Sequence, residues 1–237
     1  MKTRLLSLII IHLLLLSACK KNGNDGATKP LRIKTVTNGG VITYTYDAQY
    51  RLVKAEADQG FYKEEYLYEP GKITWILTEP SQTYKAFYTI DSKGYVKSKQ
   101  FENDSEITYY EYNDSGYPVR SYNNKVPVAE TNYYYNSGTG LLDSMRSSSG
   151  NQWNSTSVFL FNSEKTSTIS DENYGRGFWG NFSKHPVKSV AVRRPNGNAV
   201  TVSVTSYTYA YDSKNQVISR SFTTSGGQSG TETYTYY

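Results

Sequence analysis

The sequence predicts an all-β protein: an antiparallel meander of hairpins repeating every 22 residues or so, strongly curved or closed into a barrel. Three observations predict it. Tyrosine supplies 24 of 237 residues, with little Leu or Ile after the N-terminus, and flat aromatic side chains suit a pleated surface. Two aromatic or apolar residues flanking one position, followed by an acidic or amide residue, recur along the chain at a near-constant interval. Most copies are followed by a cluster of Gly, Ser, Asn and Lys, the residues that reverse a chain.

The N-terminus comes first in the chain and has a different logic. Lys2 and Arg4 form a short basic start, Leu5 to Leu16 an apolar run, and Ser17-Ala18 a small-residue step before Cys19. The run is too short to span a bilayer comfortably and reads as the core of an export signal. Leu16-Ser17-Ala18-Cys19 resembles the lipobox of bacterial lipoproteins. That resemblance implies cleavage before Cys19 and lipidation of its sulfur, with 1–18 as signal peptide. Cys19 is the only cysteine, so no intramolecular disulfide forms. Two or three acyl chains would anchor the chain to a membrane without a transmembrane helix.

Lys20 to Pro30 is polar and rich in Gly and Asn, so residues 19–30 read as a lipidated flexible tether. Its stretched reach is about 36 Å, eleven residues at about 3.3 Å each. Lys20 is not the Asp that resembles an inner-membrane retention signal, which points to the outer membrane with the leaflet left open. Removing Lys2 and Arg4 leaves 24 Lys and Arg against 21 Asp and Glu, a mature charge of +3. So small a charge gives no support to nucleic acid as a partner.

Residues 31–237 read as one tyrosine-rich domain. The motif copies are Tyr44/Tyr46 before Asp47, Tyr66/Tyr68 before Glu69, Tyr88/Ile90 before Asp91 and Tyr110/Tyr112 before Asn113. Tyr133/Tyr135 before Asn136, Phe159/Phe161 before Asn162 and Tyr209/Tyr211 before Asp212 continue the series. The anchors from Asp47 to Asn162 are separated by 22, 22, 22, 23 and 26 residues. A period of 22 holds two strands of about eight residues and two reversals. Asp or Asn caps each turn and Gly or Asn takes the positive φ, as in Asp114-Ser115-Gly116 and Ser213-Lys214-Asn215. Glu69 and Asn113 are expected to cap as Asp does.

Strand side chains alternate with period two, so the aromatics of Tyr44-Thr45-Tyr46 share one face and Thr takes the other. Stacked hairpins then carry a ladder of rings, with the tyrosine hydroxyls expected to stay wet at an edge. A membrane-spanning barrel needs apolar residues on the alternate face. Here that face is Thr, Ser, Glu and Lys and the mean hydropathy is −0.63, which predicts a barrel or curved sheet held beside the membrane.

At this point the residues carry a resemblance. Tyr44-Thr45-Tyr46-Asp47 with Arg51-Leu52-Val53-Lys54, and Tyr209-Ala210-Tyr211-Asp212-Ser213-Lys214, resemble the YD repeats of RHS-type proteins. The lipobox, the 22-residue period and Ser183-Lys184-His185-Pro186-Val187-Lys188 ahead of a late YxYD segment are together similar to an uncharacterised Bacteroidetes lipoprotein family, a domain of unknown function described with a porin-like β fold. The resemblance covers residues 31–237. It implies an all-β fold and outer-membrane association, and no activity.

One segment breaks the rhythm: 50 residues separate Asn162 from Asp212, and they include Asn173-Tyr174-Gly175-Arg176-Gly177-Phe178-Trp179-Gly180-Asn181-Phe182. Glycines among aromatics suggest backbone in close approach to something. One reading is a ligand loop, with Tyr174, Phe178 or Trp179 stacked on a sugar ring and Arg176 on an acidic group. The other is a loop that plugs one end of the barrel with its own aromatics.

Catalytic chemistry finds little footing. His185 is the only histidine of the mature chain and no nucleophile-elbow pattern accompanies it. Neighbours such as Glu64/Glu65 or Asp171/Glu172 point to opposite faces of a strand and so do not flank one bond. The repeated Asp and Asn anchors lie two strands apart, about 10 Å, too far to share a calcium ion. No metal or cofactor is expected, and the chain reads as no enzyme. Arg193-Arg194 before Pro195-Asn196-Gly197 reads as a solvent-facing hairpin turn. The function expected is a non-catalytic cell-envelope lipoprotein that binds a glycan or other envelope ligand through aromatic residues. The alternative is a structural or assembly partner of an outer-membrane protein complex, without a small-ligand site.

Overall fold

A computed structural model describes residues 29–150, 152–181 and 183–237. The expected export signal, Cys19 and most of the expected tether lie outside the described residues, as does Phe182. Leu31–Tyr237 forms one compact unit.

Sixteen antiparallel strands make up that unit. The first eight are β1 (Ile33–Thr37), β2 (Val41–Tyr46), β3 (Leu52–Ala57), β4 (Lys63–Glu69), β5 (Lys72–Glu79), β6 (Gln82–Ile90), β7 (Val96–Phe101) and β8 (Ile107–Tyr112). The second eight are β9 (Pro118–Asn123), β10 (Ala129–Tyr135), β11 (Leu142–Ser149), β12 (Gln152–Phe161), β13 (Val187–Asn196), β14 (Ala199–Tyr211), β15 (Val217–Thr224) and β16 (Ser229–Tyr236). Each strand pairs with its neighbours in sequence, and β1 pairs with β16, so the sheet closes into a barrel. Closure leaves no edge strand to be protected.

The anchors form the reversals at one end. Asp47 Oδ1 accepts the backbone N–H groups of Gln49 and Arg51, both at 2.9 Å, and Asp212 Oδ1 those of Lys214 and Gln216, both at 2.8 Å. Asp91, Asn113 and Asn136 do the same in their turns. Asp47 is partly desolvated, which raises its pKa, but the N–H donors and the Arg51 guanidinium outweigh that and hold it below the usual carboxylate range. Glu69 departs from the expectation. It pairs with Lys72 as the last rung of its hairpin, Pro70-Gly71 makes the reversal, and its carboxylate meets the Lys72 ammonium at 3.5 Å instead of capping. A two-residue turn leaves no loop N–H groups for a long side chain to cap.

Closure has a cause written into the repeat. Just past most anchored turns, the first residue of the new strand faces inward and the next is a β-bulge. Leu52 pairs with Tyr46 but Lys54 pairs with Thr45, leaving Val53 unmatched; Lys97, Val119, Asp143, Lys188 and Ile218 are left over in the same way. A bulge bends its strand and increases the local twist. Repeating it at the same end of successive hairpins curls the sheet round to meet itself.

The aromatic pairs face the barrel interior, and their hydroxyls are not wet edge groups as expected. Tyr46 donates its O–H to the Ile33 carbonyl at 2.7 Å, Tyr68 to Leu52 at 2.8 Å, Tyr135 to Pro118 at 2.9 Å and Tyr236 to Val217 at 2.7 Å. Each acceptor is the first residue of the preceding strand. There the strand has just left its turn and lacks its full ladder, so a buried carbonyl needs a partner from elsewhere. The phenol supplies it and ties one repeat to the next. Tyr68→Phe is expected to lower stability by about 1 kcal/mol by stranding the Leu52 carbonyl, read as a lower urea midpoint at unchanged slope.

The outward faces carry Thr, Ser and charge, as in the exposed pairs Lys54–Glu56, Lys63–Glu65 and Lys85–Glu102. Apolar residues such as Leu67, Tyr134 and Leu160 are exposed among them. The β13–β14 hairpin projects past its neighbours: β12 pairing stops at Arg193 and β15 pairing at Thr205, while β13 and β14 pair on to Asn196 and Ala199.

Candidate functional site

Sixteen strands enclose more space than the wall's own side chains fill. The chain deals with that space differently at the two ends. At the end of the anchored turns, the long connection from Asn162 to Pro186 folds back into the opening. The opposite rim consists of reversals of two to five residues, too short to cover such a mouth. The interior is therefore a cup with a plugged floor.

The plug is held by backbone as much as by side chains. Ile33 N–H donates to the Asn173 carbonyl and Leu52 N–H to that of Gly175, both at 3.2 Å, and Asn181 N–H donates to Gly116 at 2.7 Å. The Thr168 hydroxyl accepts the Val217 N–H at 2.8 Å and bonds to the Tyr236 phenol. Close approach explains two of the glycines. A Cβ on Gly175 would lie 2.7 Å from Leu52 N, and one on Gly180 would lie 2.7 Å from the Gly116 carbonyl, while Gly177 has nothing within 4 Å.

The four sequence-predicted residues divide between two surroundings. Phe178 is buried, with Tyr66, Tyr88 and Tyr68 at ring-centre separations of 5.9, 6.2 and 6.4 Å. Trp179 sits beside it, edge-on to Tyr88 at 5.3 Å and to Tyr110 at 5.4 Å. Gly177–Trp179 forms a single 3-10 turn that delivers both rings to this wall. A hollow of about 380 Å³ separates Phe178 from the rim at Arg51 and Lys72.

Tyr174 and Arg176 face a different hollow. The Tyr174 ring packs on Tyr44 at 5.2 Å, and the Arg176 guanidinium lies over the Tyr174 ring at 5.1 Å and meets Asp171 at 2.9 Å. Burial lowers the Arg176 pKa, but Asp171, Tyr66 and Glu64 more than reverse this and keep it charged. Its Nε has no hydrogen-bond partner among the described residues. These residues border an interior cavity of about 420 Å³ whose other walls include Met145, Phe159, Tyr209 and Arg220. Arg220 on β15 pairs with Glu232 on β16 at 2.6 Å, and the Tyr234 phenol donates to the same carboxylate oxygen.

Arg220 and Tyr209 are therefore site residues that sequence reasoning missed, with Glu232 behind Arg220 as its ion-pair partner. Their inward aim follows from register, since Tyr209 pairs with Arg220 and Arg220 with Glu232. The signal was present as polar residues at positions whose parity matches the interior aromatics, and the bulge at Ile218 obscured that parity. His185 lies at the same cavity, its Nδ1 2.8 Å from the Lys165 carbonyl, with no carboxylate or nucleophile paired to it among the described residues. Glu64 faces in and accepts the Trp75 Nε1–H at 2.8 Å, while Glu65 faces out to Lys63. The described residues contain no group of His, Cys, Asp and Glu that could hold a metal ion.

Two charge-paired arginines, one with its partner Asp171 also on the wall, stand beside aromatic rings and give the cavity a definite chemistry. Each pair is close to neutral overall, so the pocket has no strong preference for a charged guest. Its guanidinium N–H and carboxylate oxygen atoms can donate to and accept from hydroxyl groups, and the ring faces can cover C–H surface.

No protein-family model matches the sequence, and no curated protein resembles it in sequence. Solved structures resemble it in fold, among them two porin-like proteins. A porin-like protein from Bacteroides uniformis superposes with a TM-score of 0.60 at 16% identity, covering 87% of this chain and 96% of that one. A porin-like protein from Bacteroides vulgatus gives 0.59 at 11% identity, covering 87% and 99%. At these identities the likeness shows a shared barrel and nothing of activity.

Proposed function

We propose that this protein is a non-catalytic lipoprotein of the outer membrane, anchored through Cys19 and tethered by residues 19–30, whose barrel interior binds a hydroxyl-rich envelope ligand of the glycan class. The observation that carries the reading is the cavity where Arg176–Asp171 and the Glu232-paired Arg220 meet the rings of Tyr174 and Tyr209. Sugars present equatorial hydroxyls and an apolar C–H face, and this wall offers partners for both. The polar outer faces of the strands support a barrel that stands beside the membrane. The export signal and the likeness to porin-like barrels support an envelope setting.

The test is a glycan-array screen of protein beginning at Lys20, beside two variants. Tyr174→Ala removes a ring from the wall, and Met145→Trp narrows the cavity without touching either ion pair. Saturable binding is expected in the parent and a loss of about tenfold or more in both variants. Binding that survives both variants would put the site elsewhere.

A second reading, assembly with another envelope protein, has one observation in its favour. The projecting β13–β14 ribbon exposes about half of Val200 and Val202 on the face that also carries Arg193. Absence of binding to any glycan, with co-purification of a partner lost in Val202→Lys, would favour it.

A further inference from the structure

Across the lumen from the arginine cavity, the wall formed by β5, β6 and β7 holds a second group of inward residues. Trp75 pairs with Ala86 and Ala86 with Phe101, so the two rings lie in one row on the inner face, edge to face at 6.3 Å. Lys99 points the same way, since its rung partner is the interior Tyr88. Its ammonium stands 4.3 Å from the Phe101 ring centre and 5.8 Å from that of Trp75. Tyr84, on the same inner face nearer the open rim, and Phe101 each keep 38% exposure.

What distinguishes Lys99 is the absence of a counter-charge. Arg176 has Asp171 and Arg220 has Glu232, but among the described residues no carboxylate reaches Lys99 and no oxygen accepts its N–H groups. The nearby Glu64 is engaged by the Trp75 indole. Burial lowers the Lys99 pKa, a cost that no neighbouring carboxylate among the described residues offsets. Such a cation, half-sunk in an aromatic wall, is the arrangement that a bound anion would complete.

We propose that Lys99, Trp75 and Phe101 form an acid-reading site on the lumen wall, which takes the carboxylate of a uronate residue while the rings cover its C–H face. The inference rests on the glycan reading above and narrows it to acidic glycans. A carboxylate on the Lys99 ammonium supplies the missing charge at short range, and the open rim gives the ligand a route in.

The experiment compares each member of a panel of uronate-containing oligosaccharides with the neutral sugar obtained by reducing its carboxyl groups to alcohols. Binding to protein beginning at Lys20 is followed by tryptophan fluorescence and calorimetry, in the parent, Lys99→Met and Lys99→Arg. The expected result is a preference of about tenfold or more for the acid form, abolished in Lys99→Met and largely restored in Lys99→Arg. Equal binding of acid and reduced forms by the parent would overturn the inference and leave the glycan reading standing. Acid preference unchanged in Lys99→Met would equally overturn it, and binding of neither form would overturn both. Matching thermal unfolding of the three proteins keeps loss of binding separate from loss of fold.

Discussion

Gly175→Ala is expected to destabilise the barrel by roughly 2–4 kcal/mol, with Gly177→Ala, two residues away, nearly silent. Gly175 has φ +71°, a conformation a side chain adopts only with strain. The added Cβ would also lie 2.7 Å from Leu52 N and 2.9 Å from the Tyr46 ring. Neither neighbour is free to yield. Leu52 is the buried first residue of β3 and donates its N–H to the Gly175 carbonyl, and Tyr46 is clasped to Ile33. Relief therefore requires the plug to lift, which exposes Phe178 and strands the Leu52 N–H. At Gly177 no such φ constrains the backbone and the space is open. Urea unfolding of the two variants, followed by tryptophan emission, checks the contrast. Equal midpoints for both would show that the plug does not dock as tightly as these distances require.

The barrel was legible in the sequence because its determinants are local. An Asp or Asn that caps a turn, the Gly or Asn that follows, and two aromatics of one parity are each decided within a few residues, and they repeat. Closure is less legible than the hairpins, for a physical reason. It depends on small bends added at bulges such as Val53 and Ile218, and a bulge has no compositional mark of its own. Glu69 shows the limit of reading a repeat by analogy. Pro70-Gly71 changes the turn type, and with it the job of the anchor residue.

The plug was half legible. Aromatics interleaved with glycines announced backbone in close contact, and Gly175 and Gly180 make that contact. Which ring faces which wall could not be read from the sequence, because it depends on where a 25-residue connection from Asn162 to Pro186 enters the lumen. Phe178 and Trp179 go to the tyrosines of β4, β6 and β8, and Tyr174 and Arg176 go to the cavity beside β15. Arg220, Glu232 and Lys99 look like ordinary surface charges in sequence. Register alone turns them inward, so a barrel with a polar interior hides its site from any argument based on composition.

Alkali is expected to unfold this barrel cooperatively between about pH 10 and pH 12, ahead of any smooth titration of its interior. Burial is the main cause that pushes the phenols of Tyr44, Tyr110 and Tyr209 up to about 12, and it pushes those of Tyr66, Tyr88 and Tyr174 higher still. In the unfolded chain the same phenols ionise near 10. Their folded pKa values are raised, so the stability they confer is complete below pH 10 and is lost as pH rises towards and past 12. At about 1.4 kcal/mol per unit, Tyr44 and Tyr110 alone remove roughly 4–5 kcal/mol by pH 12. That is comparable to the whole stability of an ordinary domain. The clasp reinforces the effect, because a phenolate cannot donate to the Leu52 or Val217 carbonyl. Phenolate absorbance should therefore rise in two stages, exposed tyrosines first and the interior set together with loss of β-sheet circular dichroism. Titration of every tyrosine near pH 10 with the sheet intact would mean that water reaches the aromatic ladder freely, and that the rings rather than the plug would have to be reconsidered as the core.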